Sequence, residues 1–375
     1  MTPKPSTIEQ YFGDMPDPRS GPALLHPLID LGTIALLAVI CGADDWVAVQ
    51  DFGQRRETWL RTFLVLPHGI ASHDTFRRVF ALLSPPAFEQ RFVRWVKDIA
   101  RLGSGSVIAI DGKTLRGSHD ASNGQSALVM ISAYASEAGL VLAQQAVAED
   151  TNEIGAMPGL LKLLWLQDCV VTADAAHCQT QHARIIVEQG GDYVLALKDN
   201  QGRLYEQVRQ TFETPALQPP HRLTFETVEQ GHGRVEHRHY TVVNASDYID
   251  YFNHDERWWH LRSVIRVART HRVGQTPSIH YFISSLPGDA QLLARCIRSH
   301  WAIENGEHWI LDVVFRQDHH RLRTGFGPEN FAILQHIALN LLKRETSLKR
   351  SLKGKRFAAA LDPTYLFKVL LAGLP

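Results

Sequence analysis

The chain has 375 residues, and 39 Lys and Arg balance 39 Asp and Glu. Zero net charge excludes a polycation that holds nucleic acid by bulk charge, but not local basic patches, because phosphate contacts depend on where charges sit. A hydrophobic share of 45% with 21% charged residues excludes wholesale disorder, and the length suggests two or three domains.

Residues 1–22 are rich in proline and polar residues and read as a flexible arm without the apolar core of a secretory signal. From Ile29 to about Ala100 the periodicity is helical, so residues 23–103 are expected to form an all-α front domain. Its most apolar stretch, Leu31 to Gly42, falls short of the ~20 residues that a bilayer span needs. Asp30 and Asp44 flank it, and a buried helix is expected. Phe76, Val79, Phe80 and Leu83 share one helix face, with Ser72 as a candidate N-cap and Ser84-Pro85-Pro86 as the stop. Phe88, Phe92, Trp95 and Ile99 form a second stripe. The four cysteines, Cys41, Cys169, Cys178 and Cys296, form no C-x-x-C pair. That excludes a cysteine zinc site and fits a reducing cytoplasm.

Gly103-Ser104-Gly105 leads into strand patterns. Val107–Ile110, Leu128–Tyr134 and Leu140–Val147 are strand candidates, followed by a helix over Met157–Leu166. A strand over Cys169–Ala173, a helix over His177–Gln189 and a strand over Tyr193–Leu197 complete a mixed α/β core. Between about 222 and 286 strands dominate. Thr224–Val228 and His237–Val243 flank Gly231-His232-Gly233 as a hairpin, and Arg262–Thr270 and His280–Leu286 follow. Pro287-Gly288-Asp289 starts a long helix, and Pro328–Lys343 forms another. Residues 344–375 read as a basic helical tail. Within Lys343–Arg356 lie seven basic residues and one acid, which suit a solvated helix face or a phosphate-contact patch.

Asp111 and Asp174 each follow a buried strand. In open α/β sheets ligands bind outside the carboxyl ends of strands, so two such acids can meet in one crevice. Leu293, Ile297, Trp301, Glu304, His308 and Leu311 step by three or four, which puts Glu304 on an apolar stripe. A carboxylate there is costly unless it is paired, with Arg298 for example, or binds a metal. Three oxygen ligands around one crevice suit Mg²⁺ and, in a pair of ions, in-line phosphodiester displacement.

Longer motifs surround these acids. Ile110-Asp111-Gly112-Lys113-Thr114-Leu115-Arg116-Gly117-Ser118, Thr172-Ala173-Asp174-Ala175-Ala176-His177-Cys178-Gln179 and His300-Trp301-Ala302-Ile303-Glu304-Asn305 resemble the DDE transposases. Leu66–Ile70, Ser72–Phe76, His308–Val313 and Ile337–Leu342 match further, so the resemblance runs from about Tyr11 to Lys343. It is most similar to the H-repeat-associated, IS-As-type insertion-sequence group.

The resemblance implies an RNase H-like catalytic core over 104–343 with a β-rich insertion at about 222–286. It maps the three acids onto Asp111, Asp174 and Glu304 as catalytic residues and as ligands of two Mg²⁺ or Mn²⁺ ions. It implies cleavage at element ends and transfer of the freed 3′-hydroxyl into target DNA. It further implies at least a homodimer in a synaptic complex, action on the bacterial nucleoid from the cytoplasm, and neither a membrane nor a nucleotide cofactor. The sequence departs from the wider pattern. The offsets of its Tyr, Arg and Lys hold Ile297, His300 and Leu311, and Gln317 stands where an acid is common.

Lys113, Arg116 and Lys198 follow predicted strand ends and are candidate phosphate contacts, with Arg295 and Arg298 as substitutes for the missing cations. His177 is a candidate substrate contact or helix cap. His319-His320 are expected to be exposed polar residues, and Trp301 and Trp309 to be core. Leu60–Leu66, a Pro-His-Gly turn and a helix from His73 resemble a helix-turn-helix, which would face Arg77 and Arg78 to DNA. A nuclease without strand transfer and a catalytically silent DNA-binding relic are the alternative readings.

Overall fold

The computed structural model describes residues 6–21, 24–120, 124, 126–217, 219–231, 234–270 and 276–374. Five helices come first: α1 (Ser6–Phe12), α2 (Leu28–Cys41), α3 (Trp46–Leu60), α4 (His73–Leu82) and α5 (Pro85–Ile99). The arm expected over 1–22 therefore contains a helix. Ile8, Tyr11 and Phe12 recur at helical spacing and are buried, and the Tyr11 hydroxyl donates to Asp98 at 2.5 Å. Met1–Pro5 and Pro22, also part of the expected arm, lie outside the described residues.

The α2 helix is buried around nearly its whole circumference, as expected for a helix apolar on all sides. Both predicted stripes point inward: Phe76, Val79, Phe80 and Leu83 are buried, as are Phe88, Phe92, Trp95 and Ile99. Ser72 caps α4 by accepting from the Thr75 N–H at 3.4 Å. The helix expected over Leu60–Leu66 is absent. Instead α3 ends at Leu60, and residues 61–72 are irregular, with Leu66 at φ 45° and Gly69 at φ 70°. Left-handed backbone at two positions cannot continue a helix.

A nine-stranded sheet follows, made of β1 (Val107–Leu115), β2 (Leu128–Ala135), β3 (Leu140–Ala146), β4 (Val170–Ala173), β5 (Asp192–Leu197), β6 (Leu223–Gly231), β7 (Arg234–Asn244), β8 (Ser263–Thr270) and β9 (Ser278–Ser284). The strand order is β3-β2-β1-β4-β5-β9-β8-β7-β6. Only β1–β4 and β4–β5 pair in parallel. The strand-rich segment expected as an insertion continues the same sheet, because β9 pairs antiparallel with β5. The predicted β6–β7 hairpin is present, although its turn residues His232 and Gly233 lie outside the described residues.

Helices α6 (Glu153–Leu163), α7 (Thr180–Glu188), α8 (Gly202–Glu213) and the short α9 (Ile249–Phe252) lie between the strands. The first begins at Glu153 rather than Met157, because Asn152 caps it through the Gly155 N–H at 3.0 Å. Five α-helices follow the sheet among the described residues: α10 (Ala290–Ser299), α11 (Trp309–Val313), α12 (Gly327–Arg344), α13 (Leu352–Leu361) and α14 (Pro363–Leu371). One apolar core runs from Ile8 through the sheet residues Ile108–Ile110 to Leu370, so front helices, sheet and tail pack on one another.

The tail is not a solvated basic face. Lys355 donates to the Leu342 and Glu345 carbonyls. Arg356 donates to the carbonyls of Ile40, Val39 and Val314, tying the end of α2 to α11 and α13. Arg344 donates to the Ile99 and Ala372 carbonyls at 2.8 Å each. Those carbonyls include orphans at helix ends, which need donors. Of the seven basic residues in the run, only Lys349, Arg350 and Lys353 are exposed. No single described helix is long and apolar enough to cross a membrane.

Candidate active site

Register brings the first two acids together. The last parallel pair between β1 and β4 is Ile110 with Ala173. Asp111 and Asp174 are therefore the next residue on each of two neighbouring strands, whose spacing is about 4.8 Å. The difference from expectation is that β1 does not stop at Ile110. It runs on to Leu115 against β2, with Asp111 opposite Ser132, while β4 ends. The vacated edge of β1 is the crevice. Asp174 also caps the turn after β4, accepting from the Ala176 N–H at 3.1 Å.

Glu304 arrives on the helical segment that begins with α10, which packs on the sheet. The α10 helix starts at Asp289, whose carboxylate accepts from the Leu292 N–H at 3.0 Å, and it buries Leu293, Ala294, Cys296 and Ile297. It ends at Ser299. Glu304–His308 then forms a π turn that leads into α11. A π turn holds one residue more than an α turn and shifts the buried face. The expected stripe breaks first at the turn over His300–Trp301 and again at the π turn: Ile303, Glu307, His308, Ile310 and Leu311 are buried, whereas Trp301 and Trp309 are 49% and 56% exposed. The two tryptophans are thus surface residues rather than core. Glu304 opens to the crevice, and Arg298 pairs with Glu229 at 2.8 Å instead.

Asp111, Glu304 and His308 offer ligand atoms that all lie within 4.8 Å of one another. The His308 Nδ1 is 3.7 Å from the Asp111 carboxylate and 3.8 Å from that of Glu304. Burial pushes the Asp111 carboxyl up to about 7, against a 2.9 Å hydrogen bond from the Gly112 N–H, and the carboxylates of Glu304, Asp174 and Glu153 push the same way. Glu153 is itself raised by burial and by Asp174. It sits so close to β1 that a Cβ at Gly112 would overlap its carboxylate. Burial lowers His177 and His300 against the pull of Asp174, which disfavours their charged forms beside the carboxylates. A half-buried group of carboxylates that repel one another, with oxygen and nitrogen donors converging, fits a divalent cation.

The remaining predicted residues fall into three groups. Lys113 lies on the Asp111 face of β1 but is engaged by Asp312 at 2.5 Å, and the Arg295 guanidinium donates to the Gly105 carbonyl at 3.1 Å. Lys198 is exposed and lines a cavity of about 240 Å³ beside Asp174, together with Arg238, Arg269, Arg298 and Trp301. Arg116 is 80% exposed, 3.6 Å from Asp318. Arg77 and Arg78 occupy the outward face of α4, where Arg77 pairs with Asp74 at 2.9 Å. His319 is exposed as expected, but His320 is buried, with its Nε2 3.0 Å from the Phe315 carbonyl. Gln317 is also buried and donates to Gln335 at 2.8 Å.

Sequence reasoning missed Glu153 and His308 as members of the cluster. The spacing of four between Glu304 and His308 was a usable signal; Glu153 had none beyond its place after a helix cap.

Residues 102–341 match the family profile described as "Transposase DDE domain", and residues 9–96 match the one described as "DDE_Tnp_1-associated". The chain belongs to the DDE transposase family. "Putative transposase YncI" of Escherichia coli O157:H7 is 36% identical over 97% of this chain and 94% of its own length. "H repeat-associated putative transposase YhhI" of Escherichia coli K12 is 35% identical over 97% of each. A protein of Xanthobacter autotrophicus, "Uncharacterized protein in dhlA 3'region", is 44% identical over 71% of this chain and 88% of its own. A cryo-EM structure of the piggyBac transposase synaptic complex with hairpin DNA aligns over 96% of this chain and 77% of that one. Its TM-score of 0.44 and 12% identity make that likeness too weak to carry weight.

Proposed function

We propose that this member of the family is an active insertion-sequence transposase that cuts phosphodiester bonds at element ends and joins the freed 3′-hydroxyls to target DNA. The carrying observation is the register of β1 and β4, which makes Asp111 and Asp174 neighbours, with Glu304, at the start of the π turn, offering a ligand atom within 4.8 Å of one on Asp111. The strand order β3-β2-β1-β4-β5, with β1–β4–β5 parallel, supports an RNase H-like core extended by β6–β9.

Asp111, Asp174 and Glu304 would hold two divalent ions. Such ions, when bound, activate the attacking water or 3′-hydroxyl and stabilise the leaving oxygen. The protein's own part is placement. Asp111 is fixed by its strand and by the Gly112 N–H, Asp174 by the turn it caps, and Glu304 by the buried residues on either side of it. Lys198, exposed beside Asp174, and Arg116, 80% exposed beside Asp318, are the cations offered to DNA phosphates. Arg298 borders the same cavity, while Lys113 and Arg295 act through Asp312 and Gly105. Arg77 and Arg78 offer a separate basic face on α4. Two ends must be held at once, so the active form is at least a homodimer.

The test uses purified full-length protein, a divalent cation, a pre-cut element end and target DNA. Joined product is expected, and Asp111→Asn or Glu304→Gln should abolish both cleavage and joining while end binding persists. Cleavage without joined product would make the protein a nuclease, and cleavage retained in either variant would overturn the triad.

A further inference from the structure

The crevice contains a group that three carboxylates do not account for. His308 is only 6% exposed, yet its Nδ1 is aimed at Asp111 and Glu304 at 3.7 and 3.8 Å. Its Nε2 is buried with no hydrogen-bond partner among the described residues. Burial without a partner at Nε2 fixes no position for the ring by hydrogen bonding, so the side of the imidazole that meets other polar groups is Nδ1, which shares one 4.8 Å cluster with the two carboxylates. We infer that His308 is a nitrogen ligand, through Nδ1, of the ion held by Asp111 and Glu304, and that this nitrogen makes the site favour Mn²⁺ over Mg²⁺. The inference rests on the reading that those two carboxylates bind a divalent ion.

The spacing suits that role. Ligand atoms about 2.1 Å from an octahedral ion are about 3.0 Å apart when adjacent and about 4.2 Å when opposite. The observed 3.7 and 3.8 Å lie between these values, so sub-ångström movements complete a coordination sphere. The π turn is what makes this possible. It presents Glu304 and His308, its first and last residues, to the same Asp111 carboxylate. Because the ring is packed among buried neighbours, its position is set before an ion arrives.

Donor chemistry then predicts selectivity. All-oxygen sites suit Mg²⁺, whereas an imidazole nitrogen raises affinity for first-row transition ions. The competing account is that His308 is a protonated counter-charge with no ligand role. The two accounts differ in whether nitrogen is bonded to the ion.

The experiment uses the full-length protein without DNA and Mn²⁺ as the probe, followed by electron paramagnetic resonance. Wild type should bind Mn²⁺ with a nitrogen hyperfine coupling in the electron spin echo. In His308→Gln the coupling should vanish and affinity should fall by about tenfold or more. In His308→Asp, which restores an oxygen donor, binding should persist without nitrogen coupling, and the Mn²⁺ to Mg²⁺ affinity ratio should fall by about tenfold. Mn²⁺ bound by wild type and lost in Asp111→Asn, but without nitrogen coupling, would overturn the role of His308 alone. Coupling that persists in a folded His308→Gln would do the same. Failure of wild type to bind Mn²⁺ would overturn the metal reading of Asp111 and Glu304, and this inference with it.

Discussion

Gly306 is the tightest point under the candidate site, and replacing it with alanine gives the sharpest prediction. It sits inside the π turn between Glu304 and His308. A Cβ there would overlap the Tyr134 hydroxyl and lie 2.7 Å from Cζ and 3.0 Å from Cε1 of the same ring. The ring cannot swing aside. Tyr134 is 3% exposed, its hydroxyl accepts from Lys343 Nζ at 2.7 Å, and Lys343 also donates to the Gly306 carbonyl at 2.6 Å. Gly-to-Ala in a helix otherwise stabilises by about 1 kcal/mol, while overpacking a filled core costs about 1–3 kcal/mol. With three ring atoms in the way the upper part of that range applies, leaving a net loss of about 1–2 kcal/mol. At about 2–4 °C per kcal/mol for a large domain, Tm should fall by a few degrees. The backbone shift should also weaken Mn²⁺ binding, since Glu304 and His308 flank the position. The assay is a thermal melt in two backgrounds. In Tyr134→Ala the obstruction is gone and only helix propensity remains, so Gly306→Ala should become neutral or stabilising. Equal destabilisation in both backgrounds would refute the reasoning, as would a raised Tm in the wild-type background.

Three further outcomes are expected. Burial raises Glu89 well above the usual carboxylate range, so the folded state holds its proton more tightly than the unfolded chain, and its contribution is lost as pH rises above about 4.5. Glu89→Gln should therefore raise Tm at pH 8 and lose that advantage near pH 4; a gap independent of pH would count against it. Arg356→Ala should destabilise by about 3 kcal/mol or more in urea, because it strands buried carbonyls, whereas exposed Lys353→Ala should change stability by less than about 0.5 kcal/mol. Equal effects would return the tail to the status of a solvated face. An isolated fragment 1–103 should bind a hydrophobic dye and lack a cooperative melt, since α2 and α4 lose the cover of α12–α14; a sharp melt would show that the front helices fold alone.

Much of the site was legible because its signals are local. A run of buried residues followed by an acid marks Asp111 and Asp174, and the alternation and length of those runs report strands directly. Burial of α2 and of the Phe76 and Phe92 stripes was equally visible, since helical period and sidedness are properties of neighbours in sequence. Sequence therefore determined the elements, the family, and which acids are candidates. It failed where one inserted residue changes a phase. Neither the break after Ser299 nor the π turn at Glu304–His308 has a composition mark, so Trp301 and Trp309 were expected inside, and His308 was placed on the stripe without its part in the cluster.

Tertiary structure alone decided the rest, because it depends on partners far along the chain. The Ile110–Ala173 register set Asp111 beside Asp174, and β9 chose β5 as its neighbour, joining the strand-rich segment to the same sheet. The balanced charge of the opening count divides the same way. Lys355 and Arg356 look like surface cations by composition, but helix ends across the core supply carbonyls that need their protons. The carboxylates of the crevice, by contrast, are left without enough cations nearby, and only the folded chain shows which charges are spent inside and which remain for DNA and metal.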